Sequence, residues 1–485
     1  MIATETSVRT LQFYVNGKWE DSSGSLHPVT NPAVGEVIAN VPYATADEVD
    51  RVAKLAHAAF LKWREVPVVD RVQVLYRYKT LLDKYTDDVA RILSTENGKT
   101  FGDAQASVRR AIQMVEVACG MPSLMMGDSL ENVSRGIDSQ SIRQPLGVCA
   151  GITPFNFPAM VPMWMFPFAI ACGNSFILKP SEKVPMTPTR TCELLHDAGI
   201  PEGVYNLIHG DKVSVDALLA HPLVRAISFV GSSPVAKYVY ENAAKHGKRV
   251  QALGGAKNHL VVTPGANLEK SVEAIISSSF GAAGERCLAG SVLVPVGDVA
   301  EPLLDLLLAT TKKMKVGDGL ESGVDMGPVV TDEHRKKIVG YIEKGVAEGA
   351  KPLCDGREAA NCEGYFVGPT IFDNVTPEMT IAKEEIFGPV LSVIRVKTLD
   401  EAIELVNSSK FGNTTSIFTS DGKSAREYAS RIECGMVGVN IGVAAPMAFF
   451  PFSGWKNSFF GDLHAHGKDA VAFYTEQKVI MTRWF

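Results

Sequence analysis

Cys287 stands in Gly-Ala-Ala-Gly-Glu-Arg-Cys-Leu-Ala-Gly, residues 281–290. Glycines let a substrate approach the backbone closely. Arg286 beside the thiol supplies a cation that favours the nucleophilic thiolate. This context suits covalent catalysis, with a plain buried thiol as the alternative. The other cysteines, at 119, 149, 172, 192, 354, 362 and 434, sit mostly in apolar stretches and read as packing residues. There is no Cys-x-x-Cys pair, and His464-x-His466 lacks further convergent ligands, so no metal is expected. No Gly-x-Ser-x-Gly elbow occurs. Glu384-Glu385 reads either as an acid–base pair or as a helix cap or surface pair.

Nucleotide motifs are incomplete. No Gly-x-Gly-x-x-Gly follows a strand, and Gly98-Lys99-Thr100 has Leu93 where a phosphate loop needs its first glycine. The best phosphate candidate is Phe-Val-Gly-Ser-Ser-Pro-Val at 229–235, where Gly231 and Ser232 join a strand to a helix. A helix start offers free N–H groups to an anion. A simple turn with a cap is the other reading. Lys179, in Ile-Leu-Lys-Pro-Ser-Glu, reads as a ribose or phosphate ligand or as a solvated lysine.

These residues need a scaffold, and the chain is long enough to build one. Its 485 residues, 46% hydrophobic and 21% charged, predict two or three globular domains. A net charge of −6 argues against nucleic-acid binding by a broad basic surface. The N-terminus carries Glu5 and no apolar core, so it reads as neither signal nor transit peptide, and free thiols point to the cytoplasm. The uncharged run from Gln144 to Leu178 is long enough to span a membrane, but Pro158, Pro162 and Pro167 interrupt it. It reads as a buried strand–helix unit. Asn16-Gly17 marks a hairpin over 10–20. Helices are predicted at 45–63, 69–93 and 103–119. From 146 to 255 strands alternate with helices, which predicts a doubly wound parallel sheet. A second α/β series follows from 259. The alternating C-terminus, 471–485, predicts a long strand with an open edge, a route to self-association.

Five segments lie in one order: TPFNFP (153–158), ILKPSE (177–182), FVGS (229–232), GERC (284–287) and KEEIFGPV (383–390). Together they resemble the aldehyde dehydrogenase superfamily. The stretches 121–130, 255–259, 364–375 and 446–469 are most similar to its CoA-acylating branch, the methylmalonate-semialdehyde dehydrogenases. The resemblance implies an α/β aldehyde dehydrogenase fold with a Rossmann-like parallel-sheet NAD domain (1–122 and 146–255). It also implies an α/β catalytic domain (256–445) and a β-arm (123–145 and 465–485) that joins subunits, as a tetramer built from two dimers. By the same resemblance Cys287 is the nucleophile and Asn156 the side-chain half of an oxyanion hole. Thr153, Phe155, Lys179, Glu182, Gly231, Ser232, Glu385 and Phe387 bind NAD. Arg110 and Arg286 hold a substrate carboxylate, with Arg109 a competitor for the first role.

One departure separates the chain from the hydrolytic members. Their Glu-Leu-Gly-Gly-Lys carries a glutamate that activates water, whereas here the nearest equivalents are Leu253 and Gly254. Neither is a base, so water attacks a thioacyl enzyme slowly and a CoA thiolate competes. The resemblance therefore implies NAD- and CoA-dependent oxidative decarboxylation of methylmalonate or malonate semialdehyde to propionyl-CoA or acetyl-CoA. Hydrolytic oxidation to a free acid is the alternative.

Overall fold

The computed structural model describes residues 8–361 and 363–485. Residues 1–7, the start of the segment read as neither signal nor transit peptide, and Cys362, read as a packing thiol, lie outside the described residues. The hairpin forms as predicted. Strands Phe13–Val15 and Lys18–Glu20 pair antiparallel around Asn16 (φ 49°) and Gly17 (φ 83°), the left-handed pair that a type I′ turn needs.

That hairpin is one edge of an eight-stranded sheet. At its heart five parallel strands run in the order Arg249–Leu253, Val224–Val230, Val148–Ile152, Ser175–Lys179 and Tyr205–Leu207. They are almost entirely buried, as parallel strands covered on both faces must be. From Val148–Ile152 the chain winds outward through two strands, then returns to the other side for Val224–Val230. The winding therefore reverses at Val148–Ile152. In such sheets a crevice opens beyond the C-terminal strand ends at that point. Thr153–Asn156 and Gly231-Ser232 occupy those ends.

A second, seven-stranded sheet places six parallel strands beside the antiparallel Lys351–Cys354. Its central strands are Asn258–Val262, Gly290–Pro295, Val390–Val393 and Thr414–Phe418. Cys287, Glu385, Phe387 and Asn413 all lie just before the N-terminal ends of these strands. The two sheets thus meet end to end, the first by its C-terminal strand ends and the second by its N-terminal ones.

The structure alters several predicted boundaries. The 69–93 helix is two helices, Val68–Lys84 and Thr86–Asn97, turning at Tyr85. The first is entered from Pro67 rather than from Asp70. The prolines divide the expected buried helix into two short ones, Met160–Met163 and Phe166–Ala171. The C-terminus opens with a helix, Gly467–Phe473, and only Thr475–Arg483 is a strand. That strand pairs on one side with Ile137–Pro145, which in turn pairs with Ser129–Ser134. Its other edge is open, with Val479 and Met481 exposed. No helix among the described residues is long and apolar enough to cross a membrane.

Asn174 ties the C-terminal segment to the first sheet. Its Oδ1 accepts from the backbone N–H of Leu146 (2.7 Å) and Gly147 (3.0 Å). Its Nδ2 donates to the carbonyls of Ala169 (3.1 Å) and Tyr474 (2.9 Å). The amide is fully buried and all four bonds are used. Asn174→Ala removes all four bonds and takes the amide partner from the Leu146 and Gly147 N–H groups and the Tyr474 carbonyl, while the Ala169 carbonyl keeps the Asn174 N–H, so it should cost about 3 kcal/mol or more. A urea midpoint equal to that of the wild type would contradict this account.

Candidate active site

Two clefts converge on the Cys287 side chain. One, of about 360 Å³, is lined by Asn156, Gly231, Ser232, Glu385 and Phe387 among others. The second, of about 280 Å³, is lined by Arg110, Arg286 and a wall of Phe157, Met160, Trp164 and Phe452. Cys287 alone lines both. A nucleophile at such a junction can reach a ligand on either side.

The backbone around Cys287 is constrained at several points. Asn258 Nδ2 and Asn413 Nδ2 both donate to its carbonyl, at 3.0 and 2.9 Å. Ahead of it Ala282, Ala283 and Gly284 are all left-handed, with φ of 50°, 51° and 71°. Such a run of alanines stores strain and persists only where the surroundings impose it. Here the Ala282 N–H donates to Asp103 at 3.1 Å, and a Cβ on Gly284 would run into the Gly388 carbonyl. The nucleophile loop and the loop carrying Phe387 are therefore in direct backbone contact.

Asn156 is buried, and its Nδ2 donates to the Glu285 carbonyl at 3.0 Å. An amide nitrogen has two hydrogens, so one donor remains for a ligand. Burial pushes the Cys287 thiol up to about 12, and the Glu385 carboxylate adds to this while the Lys99 ammonium opposes it. Lys99 bonds the neighbouring Asn156 carbonyl, while Arg286, the cation expected at the thiol, is engaged elsewhere. Arg286 is turned to Asp103 Oδ1 (2.8 Å) and the Ser277 carbonyl (3.0 Å). Both Arg286 and Arg110 line the smaller cleft, while Arg109 is exposed outside it. Arg110 donates to Gln113 Oε1 (3.0 Å) and the Ala445 carbonyl (3.2 Å).

On the larger side, the helix Ser233–Lys245 begins without a side-chain cap from Ser232. Its first N–H groups are available to an anion. Gly254 and Gly255 line the same cleft, and a Cβ on Gly255 would collide with the Glu385 carboxylate. Glu385 Oε1 accepts from the Ala256 N–H at 2.9 Å, and burial raises its carboxyl to about 7. Glu384 takes the surface role, bonded to the Tyr341 hydroxyl at 2.8 Å. Lys179 is buried and lies 3.4 Å from Glu182 Oε2, just past the reversal of winding. Thr153 is buried beside them, its backbone N–H bonded to the Lys179 carbonyl.

Sequence reasoning missed His334, Asn258, Asn413 and Lys99. His334 Nε2 bonds the Phe387 carbonyl at 2.7 Å, and its ring meets those of Phe155 and Phe387 edge-on. Nothing in its local sequence marks it, because it reaches the cleft from the helix Asp332–Ala347. The two histidines of His464-x-His466 have separate surroundings. His464 bonds Asp469 and Gly454, whereas His466 packs edge-on to Trp164.

The charge balance at the thiol can be measured. Above about pH 7 Glu385 is ionised and holds the Cys287 thiol up, so Glu385→Gln should lower the thiol pKa. Iodoacetamide alkylation of Cys287 at pH 8 should then speed up by about threefold to tenfold, and the gain should shrink below pH 7. Unchanged or slower alkylation, followed by peptide mapping, would contradict the assigned field.

Known proteins place this geometry. The aldehyde dehydrogenase family model matches residues 19–480. The chain is 53% identical over 482 residues to malonate-semialdehyde dehydrogenase 1 of Geobacillus thermodenitrificans, covering 99% of this chain and 100% of that one. In structure it is similar to methylmalonate-semialdehyde dehydrogenase of Oceanimonas doudoroffii, with a TM-score of 0.97, 47% identity and 98% of each chain covered. A Sinorhizobium meliloti 1021 relative solved in complex with NAD gives a TM-score of 0.97 at 45% identity over 99% of both chains. The chain belongs to the aldehyde dehydrogenase family.

Proposed function

We propose that this enzyme oxidises a short aldehyde bearing a carboxylate, malonate or methylmalonate semialdehyde, and delivers the acyl group to CoA. The observation that carries this reading is the smaller cleft, where two arginines and an apolar wall face the thiol of Cys287. Relatives named for malonate and methylmalonate semialdehydes support it.

Residues of the larger cleft fit NAD. The uncapped helix start at Gly231-Ser232 suits a pyrophosphate, and Lys179 with Glu182, which lie outside the lining of the cleft at the end of the neighbouring strand, suits a ribose. The Glu182 carboxylate repels a 2′-phosphate and so favours NAD over NADP. Glu385 and Phe387 flank the end of the cleft nearest Cys287, where the nicotinamide belongs. NAD supplies the acceptor for the hydride.

The chain's own residues do the rest. The Cys287 sulfur attacks the aldehyde carbon and forms a C–S bond. The oxygen becomes an alkoxide between Asn156 Nδ2 and the Cys287 N–H, each such donor contributing about 3 kcal/mol in the transition state. Loss of hydride, two electrons and a proton, converts the adduct to a thioester on Cys287. The carboxylate β to that carbonyl leaves as CO2, and its bonding pair forms an enolate on the same donors, which then takes up a proton. A CoA thiolate attacks the thioester and releases Cys287, giving acetyl-CoA or propionyl-CoA. Leu253 closes its strand and Gly254 donates its N–H to Ser458, so neither position activates water.

This reading assigns 1–122 and 146–255 to NAD binding, 256–445 to catalysis, and 123–145 with 465–485 to an arm. The open edge of Thr475–Arg483 suits a homo-oligomer, for which the family resemblance favours a tetramer, and the free thiols suit the cytoplasm.

Two measurements test the reading. With NAD and semialdehyde, steady NADH formation should require CoA, and sustained turnover without it would establish hydrolysis instead. Arg110→Leu and Arg286→Leu should each raise KM for malonate semialdehyde about tenfold or more while leaving KM for propanal within about threefold. Equal effects on both aldehydes would remove the carboxylate role.

A further inference from the structure

The turn Glu96-Asn97-Gly98-Lys99, dismissed as a phosphate loop, lies against the catalytic loop. Asn97 Nδ2 donates to the Phe155 carbonyl at 3.1 Å. Lys99 Nζ donates to the Asn156 carbonyl and lies 3.9 Å from the centre of the Phe157 ring. Three consecutive residues, Phe155, Asn156 and Phe157, are thus held from this turn. Glu96 anchors the turn from behind, accepting from the N–H groups of Met186 and Thr187, both at 2.7 Å. Left-handed Gly98 packs against Pro328 and Pro32.

Lys99 is only 3% exposed. The charged and titratable groups acting on it are Arg286, Asp103, Glu285 and Cys287. Glu285, 2% exposed, is two residues from the nucleophile and accepts from the Val330 N–H at 3.2 Å. It lies 3.6 Å from His334 Nε2 and feels both Lys99 and Lys183. Burial disfavours the charged form of both Lys99 and Glu285, and their mutual attraction opposes that penalty. The groups facing Cys287 are Glu385 and Lys99.

We propose that Lys99 is a positioning residue of this site. Its buried amine donates to the Asn156 carbonyl and lies on the Phe157 ring, and so holds the loop that aims the Asn156 amide at the oxyanion. This rests on the roles of Cys287 and Asn156 given above.

The test uses the full-length enzyme with Lys99→Met and Lys99→Gln, each checked for its melting midpoint. Lys99→Met should lower kcat about 30-fold or more with KM for the aldehyde within about threefold. Lys99→Gln, which keeps a donor for the Asn156 carbonyl, should recover part of kcat at the same KM. A general loss of packing would instead lower the melting midpoint and change kcat and KM together in both variants. The proposal is overturned if Lys99→Met keeps the wild-type kcat, or if KM rises as much as kcat falls. Should Lys99→Met fail to fold, Lys99→Gln decides, and a wild-type kcat in it overturns the proposal. Propanal is assayed beside malonate semialdehyde, so a failure of the semialdehyde reading would appear separately, in wild-type turnover.

Discussion

Two side-chain amides close on one carbonyl, that of Cys287, and the site depends on this convergence. Asn258 begins one strand of the seven-stranded sheet and Asn413 immediately precedes its neighbour. Each donates to the same oxygen. The nucleophile's backbone is therefore tied to the register of a buried parallel sheet, not to the conformation of a free loop. The left-handed alanines ahead of it carry strain that only such an over-determined setting sustains.

The end-to-end meeting of the sheets does the remaining positioning. The first sheet presents Asn156, Gly231 and Gly254 at its C-terminal strand ends. The second presents Cys287, Glu385 and Phe387 at its N-terminal ends. Neither sheet holds a complete set of groups. The cofactor-side and substrate-side clefts exist because the ends face each other, with Cys287 on the seam. Burial there has a cost. It raises the thiol, and it raises the carboxyls of Glu285 and Glu385 while lowering Lys99. The same low dielectric lets a few fixed charges govern the state of the sulfur.

Local rules read well where local chemistry decides. Asn16-Gly17 requires left-handed backbone, so its hairpin was legible. Thr45 with Glu48 forms a reciprocal cap, so the start of the helix predicted over 45–63 was legible to within one residue of the observed Ala46–Trp63. The failures are equally physical. Helical spacing continues across Tyr85, where packing turns the chain. The apolar alternation of the C-terminus suits a strand, yet its first residues fold as a helix whose Val471 and Phe473 enter the core. Lys99 looked like part of a broken phosphate motif because its partners, Asn156 and Glu285, are distant in sequence. The same holds for His334, Asn258 and Asn413.

By itself the sequence determined a cysteine among glycines and an alternation that builds two parallel sheets, which follow from side-chain chemistry and hydrophobic period, both local properties. The asparagine, the two arginines and the carboxylate missing where water would be activated were legible only through the resemblance of short motifs to a known family. Only the tertiary structure decided that Arg110 rather than Arg109 lines the cleft at the thiol, that Glu385 turns inward while Glu384 turns out, and that Lys99 bonds the Asn156 carbonyl. Those outcomes depend on distance, burial and dielectric, which exist only once segments far apart in the chain have packed together.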